Sequence, residues 1–351
     1  MGQSFEERLV EQTTGALEVF GVYLGDRLGL YAALRDSDGL TVAELATRGG
    51  IHPRYAREWL EQQAVAGVLT VDDASRPGTE RVFRLPAEHA PVLTDPTHAA
   101  HLAPLARMIA GIGGVLDEVV AAYRSGGGVP YARYGADFRH GQGGINRPAF
   151  SSSLVEAWLP ALNGTAKCLA EGGRVADLGC GQGWSAIAVA QAFPSADVLG
   201  LDCDPASIDD ARTHAAAAGV RARFECADAP ALAGQGRFDL VMLLEVLHDL
   251  ARPVETLAAA RAALAPHGAV LVADECVAPQ FTAPGDGLER MMYGWSIVHC
   301  LPTQMVEQPS AAIGTVIRES ALRDLAAQAG FSSTRTLDVD GGFFRLYELR
   351  V

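Results

Sequence analysis

Val175-Ala176-Asp177-Leu178-Gly179-Cys180-Gly181-Gln182-Gly183-Trp184 is the stretch that decides the fold of this chain. An apolar run feeds a turn with glycine at every second position, and a helical pattern starts at once behind it. Main chain can approach a ligand closely in such a turn. Outward from it, strands are predicted at Arg174 to Leu178, Asp197 to Asp202, Ala222 to Cys226, Phe238 to Leu244 and Ala269 to Asp274, with helices after Gly183, Pro205 and Pro253. That alternation builds a doubly wound parallel sheet. After a helix at about Glu319 to Ala329 come Ser332 to Val339 and Phe343 to Arg350, joined through Asp340-Gly341-Gly342. A hairpin there reverses the last strand of what is then a seven-stranded α/β sheet.

Upstream the pattern is different. From Ser4 to Leu34 apolar residues recur at helical spacing (Leu9, Leu17, Phe20, Leu24, Leu28, Tyr31, Leu34), and Thr41 with Glu44 three residues on is a capping box opening a second helix. A third helix is predicted from about Arg54 to Ala66, then two short strands, Leu69 to Val71 and Val82 to Leu85. Helix, turn, helix and hairpin make a mainly α winged-helix domain. Residues 96–165 read as a helical connector interrupted by Gly126-Gly127-Gly128 and by the glycine-rich Tyr131 to Asn146, which is long for a passive loop and suits a lid or pocket wall. With 351 residues to organise, the division expected is 1–95, 96–165 and 166–351.

Composition narrows the function. Against 28 basic side chains stand 42 acidic ones, and the net charge of −14 opposes attraction to nucleic-acid backbones and anionic lipid. The third helix begins Arg54-Tyr55-Ala56-Arg57-Glu58, with two arginines and an early carboxylate, which favours a dimerisation or substrate-lid module over a DNA reader. No apolar run is long enough to span a bilayer. Met1 to Gln12 carries Glu6, Glu7 and Arg8 where an export signal needs a basic start and an apolar stretch, so a cytoplasmic location is expected. Cys168, Cys180, Cys203, Cys226, Cys276 and Cys300 lack paired spacing and read as reduced thiols, with no structural metal expected.

The ligand of the glycine turn can be narrowed further. A dinucleotide site wants Gly-x-Gly-x-x-Gly, whereas here the third glycine comes two residues after the second and Trp184 stands where the motif's last glycine belongs. Asp177 at the mouth of the turn repels a pyrophosphate and attracts an amino group. Nineteen residues past Gly183, Asp202 ends the second strand with a carboxylate placed for both hydroxyls of a ribose. Asp228 after the third strand can accept from an adenine exocyclic amine. Ribose, adenine and amino acid are all provided for, with Gly179, Cys180, Gly181, Gly183, Cys203, Ala229, Leu244 and Glu245 as the flanking cofactor contacts.

In these motifs, Asp-x-Gly-x-Gly-x-Gly, Val-x-Gly-x-Asp, the third-strand aspartate and Phe-Asp-Leu-Val at Phe238, residues 174–351 resemble the Rossmann-like class I methyltransferases that use S-adenosylmethionine. The reversed last strand is a trait of that family too. The resemblance implies S-adenosyl-L-methionine as cofactor and methyl transfer as the reaction.

Methyl transfer from a sulfonium to a hydroxyl needs alignment, exclusion of water and a base. The fourth strand runs into Glu245-Val246-Leu247-His248-Asp249 at the end of the sheet where open α/β folds bind substrates, which makes His248 the leading candidate base and Glu245 an alternative contact. A histidine here also serves simply to cap a helix. The His248-Asp249 pair and the winged-helix front resemble the small-molecule O-methyltransferases of the plant caffeic acid type, which pair through that front domain. In them a glutamate after the fifth strand orients the histidine, and Glu275 stands at the matching place; their second flanking glutamate is replaced by Val316, with Glu319 one turn later. The resemblance also implies a homodimer.

More closely, Tyr293-Gly294-Trp295-Ser296-Ile297-Val298-His299-Cys300-Leu301-Pro302 resembles a segment of actinobacterial methyltransferases with a winged-helix front. With Met291 and Met292 before it, this insertion offers an aromatic and sulfur-rich wall for a flat apolar acceptor, or is a plain core helix. Met292, Trp295, His299, Tyr131 and Tyr134 are the candidate substrate contacts; His299 and Cys300 lack a partner motif for metal binding. The reading is a methyltransferase acting on a small, aromatic or polyketide-like molecule at oxygen. The alternatives are N-, S- or C-methylation by proximity alone, a diverged chemistry on the same cofactor, and a cofactor-sensing winged-helix regulator.

Overall fold

The structure, a computed structural model, describes residues 3–351. The chain packs as two compact units, Met1–Gly113 with Ala136–Pro148, and Gly114–Gly135 with Ala149–Val351, so the stretch 96–165 is shared between them.

In the first unit the predicted long N-terminal helix is two helices, Phe5–Arg27 and Leu30–Arg35, because Gly29 takes a left-handed conformation (φ 67°) between them. Ser4 and Glu7 form a capping box on the first, and Thr41 and Glu44 form the expected one on Val42–Gly49. Helix Pro53–Val65 and the antiparallel strands β1 (Thr70–Val71) and β2 (Phe83–Arg84) complete the winged helix around Leu30, Tyr31, Leu45, Leu60 and Phe83. The Trp59 indole N–H donates to the Gly21 carbonyl at 2.9 Å, tying the first helix to this core.

The glycine-rich stretch read as a loop or lid is mostly helix: a short turn at Tyr131–Tyr134 and then Gly135–Pro148. Its glycines serve close helix packing. A Cβ on Gly141 would lie 2.7 Å from Met108 Cγ and one on Gly144 2.9 Å from Pro104, both on helix Pro104–Gly113. Gly126 does end a helix, Leu116–Ser125, in the left-handed conformation.

The second unit is a seven-stranded sheet of β3 (Arg174–Leu178), β4 (Asp197–Asp202), β5 (Ala222–Cys226), β6 (Phe238–Leu244), β7 (Leu264–Glu275), β8 (Ser333–Thr336) and β9 (Phe344–Arg350). Their order is β5-β4-β3-β6-β7-β9-β8, parallel through β7, with β9 antiparallel to both neighbours. Alternation along β6 divides the core: Leu240, Met242 and Leu244 pack with Trp158 and Ile187 on one face, while Val241 and Leu243 pack with Leu257 and Leu322 on the other. From β3 the chain winds outward to β4 and β5, then returns to start β6 on its other side. The carboxyl ends of β3 and β6 therefore flank the crevice where such sheets hold ligands.

Two glycines of the cradle differ in what they demand. Gly181 (φ 49°) has open space at its Cβ position, whereas a Cβ on Gly183 (φ 81°) would lie 2.9 Å from Ala211 and the Phe224 ring. Gly181→Ala is expected to cost about 1–2 kcal/mol from the backbone alone, and Gly183→Ala about 2–4 kcal/mol once crowding is added. Chemical denaturation of both variants measures the difference; equal losses would contradict this reading of the turn.

Candidate active site

The cradle is held from the second strand. Gly179 and Cys180 donate backbone N–H to the Leu201 carbonyl at 2.8 and 3.0 Å, and Gly181 donates to Asp202 Oδ2 at 2.8 Å. Asp202 Oδ1 accepts from the Asp204 amide at 2.8 Å. Each of these oxygens keeps a lone pair for a further donor, as a ribose-binding carboxylate requires. Gly183 caps helix Trp184–Ala192, and Cys180 is buried against Gly200. The Cys203 thiol is pushed up to about 11 by burial and by the charges of Asp202 and Asp228, so these groups share one rim. Asp228 is exposed there and Ala229 behind it is buried.

Asp177 is fully buried and accepts from the Ser185 hydroxyl at 2.5 Å. Burial pushes its carboxyl up to about 7, although the Ser185 hydrogen bond works the other way. A buried carboxylate supported by neutral donors is a site that a cationic amino group would stabilise.

At the end of β6 the chain turns sharply. Leu244 is buried, and Glu245 adopts φ 56°, a conformation rare outside glycine, while its N–H donates to the Ala273 carbonyl at 2.8 Å. A single 3-10 turn, Leu247–Asp249, then carries His248 back over the end of β7. His248, Asp274 and Glu275 are 2%, 1% and 3% exposed, so the cluster is dry. Nδ1–H of His248 donates to Asp274 Oδ1, and Glu275 Oε2 lies 3.4 Å from the same nitrogen. The sequence assigned the orienting role to Glu275; the hydrogen bond goes instead to Asp274, one residue earlier. Asp249 Oδ1 stands 3.6 Å from Nε2 on the other edge of the ring.

Burial disfavours the imidazolium, but Glu275, Asp249 and Asp274 together outweigh it and hold the His248 pKa well above the usual histidine value. Burial likewise lifts Glu275 far above the carboxylate range, with Asp274 and Glu245 adding to the effect and His248 opposing it. The proton thus sits on the ring against Asp274. Glu319 takes no part: it binds Arg323 Nη2 at 2.7 Å and accepts from Thr336 at 3.0 Å. Both carboxylates around Nδ1 come from β7.

The insertion is a helix running from Gly287 to Gln304, widened to a π-helix at Ser296–Cys300. His299 stacks edge-on against Tyr134 (ring centres 4.7 Å) and Tyr131 (5.9 Å), and the Tyr134 hydroxyl donates to the Val298 carbonyl at 2.8 Å. Burial lowers the His299 pKa to about 4, so this ring is neutral. Met292 is buried and Trp295 half-buried on the same helix. Cys300 is buried beside His299, its sulfur 3.5 Å from Nδ1, and its ligating atom lies within 4.8 Å of those of His248 and Asp249. Sequence reasoning missed Asp274 and this approach of Cys300 to His248.

Residues 175–268 match the family described as a methyltransferase domain. Residues 16–95 match the Rv2258c-like winged HTH domain. The ubiquinone biosynthesis O-methyltransferase of Roseobacter denitrificans is 38% identical over 99 residues, 28% of this chain and 39% of that protein, so the chain spans well under half the length of this curated relative. Among solved structures, the mitomycin 7-O-methyltransferase MmcR superposes with a TM-score of 0.71 at 20% identity, covering 98% of this chain and 97% of that one. Human N-acetylserotonin methyltransferase, solved in complex with S-adenosylmethionine, gives 0.66 at 19% identity over 100% and 99%. Winged helix, connector and sheet thus recur in one fold.

The Nδ1–H proton of His248 should give a low-field, slowly exchanging resonance by NMR. Asp274→Ala should abolish it and Glu275→Gln should retain it; the reverse pattern would return the orienting role to Glu275.

Proposed function

We propose that this chain is a methyltransferase that moves the methyl group of S-adenosylmethionine to a hydroxyl of a small aromatic or polyketide-like molecule. The observation that carries the reading is the dry His248–Asp274 pair at the carboxyl end of β6, beside a glycine cradle flanked by Asp177 and Asp202. The buried carboxylate of Asp177 fits the cofactor's amino group, Asp202 its ribose hydroxyls and Asp228 its adenine amine. Gly179, Gly181 and Gly183 carry no side chain to keep the ligand off the backbone, and Cys180, Cys203, Ala229, Leu244 and Glu245 are proposed as the flanking cofactor contacts. The bound cofactor would supply an electrophilic methyl on a cationic sulfonium.

The residues then do the rest. The neutral form of His248, its one ring proton held on Nδ1 by Asp274, takes the hydroxyl proton through Nε2, the edge that faces away from Asp274. Asp274 fixes the tautomer and stabilises the imidazolium, as a positioning residue, and Glu275 and Asp249 strengthen the same charge. Tyr131, Tyr134 and the neutral His299, with Met292 and Trp295 on the same helix, give the acceptor an apolar wall. The free cysteines suit the reducing cytoplasm we propose for it.

The protein is proposed to work as a homodimer. Leu9, Leu17, Phe20 and Leu24 along helix Phe5–Arg27, and Leu28 just past its end, expose apolar side chains. Leu17, Phe20 and Leu24 line a groove of about 490 Å³ with Ile51, Tyr55 and Trp59, larger than isolated surface leucines would make. A DNA-reading role for this unit is disfavoured, since Arg54 pairs with Glu58, and Arg57 and Arg81 share Glu61 at 3.1 and 2.7 Å. Among the described residues no helix is long and apolar enough to cross a membrane.

His248→Ala should lower turnover roughly 100-fold or more, with S-adenosylhomocysteine affinity nearly unchanged; full turnover would point to proximity alone or to another acceptor atom. The affinity should itself depend on pH. Because Asp177 must shed a proton to meet an ammonium and its pKa is about 7, binding should weaken about tenfold per unit below pH 7 and level off above it. Calorimetry on wild type and Asp177→Asn tests this, the variant binding weakly with a flat profile. In sedimentation, Leu17→Glu with Leu24→Glu should shift a dimer to monomer.

A further inference from the structure

The structure assigns a second capacity to the same ring: we propose that His248 Nε2, Asp249 Oδ1 and Cys300 Sγ form a site for a soft divalent cation of the zinc class. Nothing in methyl transfer calls for such a site, and the binding step does not depend on that reading. The three atoms come from two places far apart in sequence, the turn after β6 and the π-widened helix, and lie within 4.8 Å of one another.

The geometry suits a tetrahedral ion. With metal–nitrogen and metal–oxygen bonds near 2.1 Å, the edge between two ligands is about 3.4 Å; Nε2 and Asp249 Oδ1 stand 3.6 Å apart. Asp249 Oδ1 is buried and accepts no hydrogen bond. The opposite edge of the ring is equally prepared. A metal-bound histidine nearly always donates its other N–H to a carboxylate, which fixes the tautomer and strengthens the ligating nitrogen. Asp274 already does this at Nδ1.

The neighbouring trio of His248, Asp274 and Glu275 is also compact but does not serve. There Nδ1 and Asp274 are closer than a tetrahedral edge and share a proton, so the ring's bound edge is closed to an ion. An imidazole and a thiolate beside one carboxylate select zinc-class ions over magnesium or calcium. On binding, the cation replaces two protons, the thiol's and the one on Nε2, both released to solvent. Occupancy takes Nε2 away from any acceptor hydroxyl, so the ion would be an inhibitor.

Cobalt(II) reports thiolate coordination by a near-ultraviolet charge-transfer absorption, without any turnover. The full chain carrying Cys203→Ser, Cys226→Ser and Cys276→Ser, which lacks its exposed thiols, should develop this band at one equivalent of cobalt and lose it to added zinc. Adding Cys300→Ser should abolish the band while circular dichroism stays native. Asp249→Asn, at a partly exposed position, should weaken cobalt binding at least roughly tenfold, and Asp274→Asn roughly 10–100-fold. No band, a band surviving Cys300→Ser, or unchanged affinity in Asp249→Asn would each overturn the site.

Discussion

The site depends on the parallel pairing of β6 with β7, which sets Leu244 opposite Ala273 and lets the Glu245 amide close the last rung on the Ala273 carbonyl. From that rung the chain has one residue in which to leave the sheet, and Glu245 does so in a left-handed conformation. The turn that follows drops His248 onto the end of β7, against Asp274. An imidazole and two carboxylates so placed are costly in a dry interior unless they share protons. They do share them, and the ring acquires a fixed tautomer with one edge committed to Asp274 and the other facing Asp249.

Negative charge is in excess around this crevice. Asp177, Glu275 and His248 all depart from ordinary proton affinity in the direction that retains a proton. Burial does this for the two carboxyls, whereas at His248 the neighbouring Glu275, Asp249 and Asp274 outweigh burial. A ligand carrying positive charge relieves that imbalance, and S-adenosylmethionine carries it twice, on its amino group and its sulfonium. The same imbalance suits a divalent ion, which is why one ring can be argued to serve both a proton and a metal.

Much of this was legible in the sequence. β3, β4 and β6 lie where the apolar runs do, because buried parallel strands read as apolar runs bounded by turn residues, while the edge strand β5 buries only Phe224. Two things were hidden. The glycines from Gly135 to Gly144 look like loop residues, but their small size is spent on helix contacts visible only in three dimensions. Asp274 and Glu275 are adjacent, and period-two alternation sends neighbours to opposite faces of a strand. They converge on His248 because β7 stops there, the Val277 amide turning back to the Glu275 carbonyl at 2.8 Å. Cys300 could not be linked to His248 by spacing, since 52 residues and a widened helix turn separate them.

A crystal structure with S-adenosylhomocysteine decides whether this crevice is the methyl-transfer site. The ligand's amino group should lie at Asp177, its ribose hydroxyls on Asp202 and its sulfur within about 6 Å of His248 Nε2, close enough for one water or an acceptor oxygen to bridge. A sulfur facing away from His248, or a ligand bound without Asp177 and Asp202, would contradict that assignment.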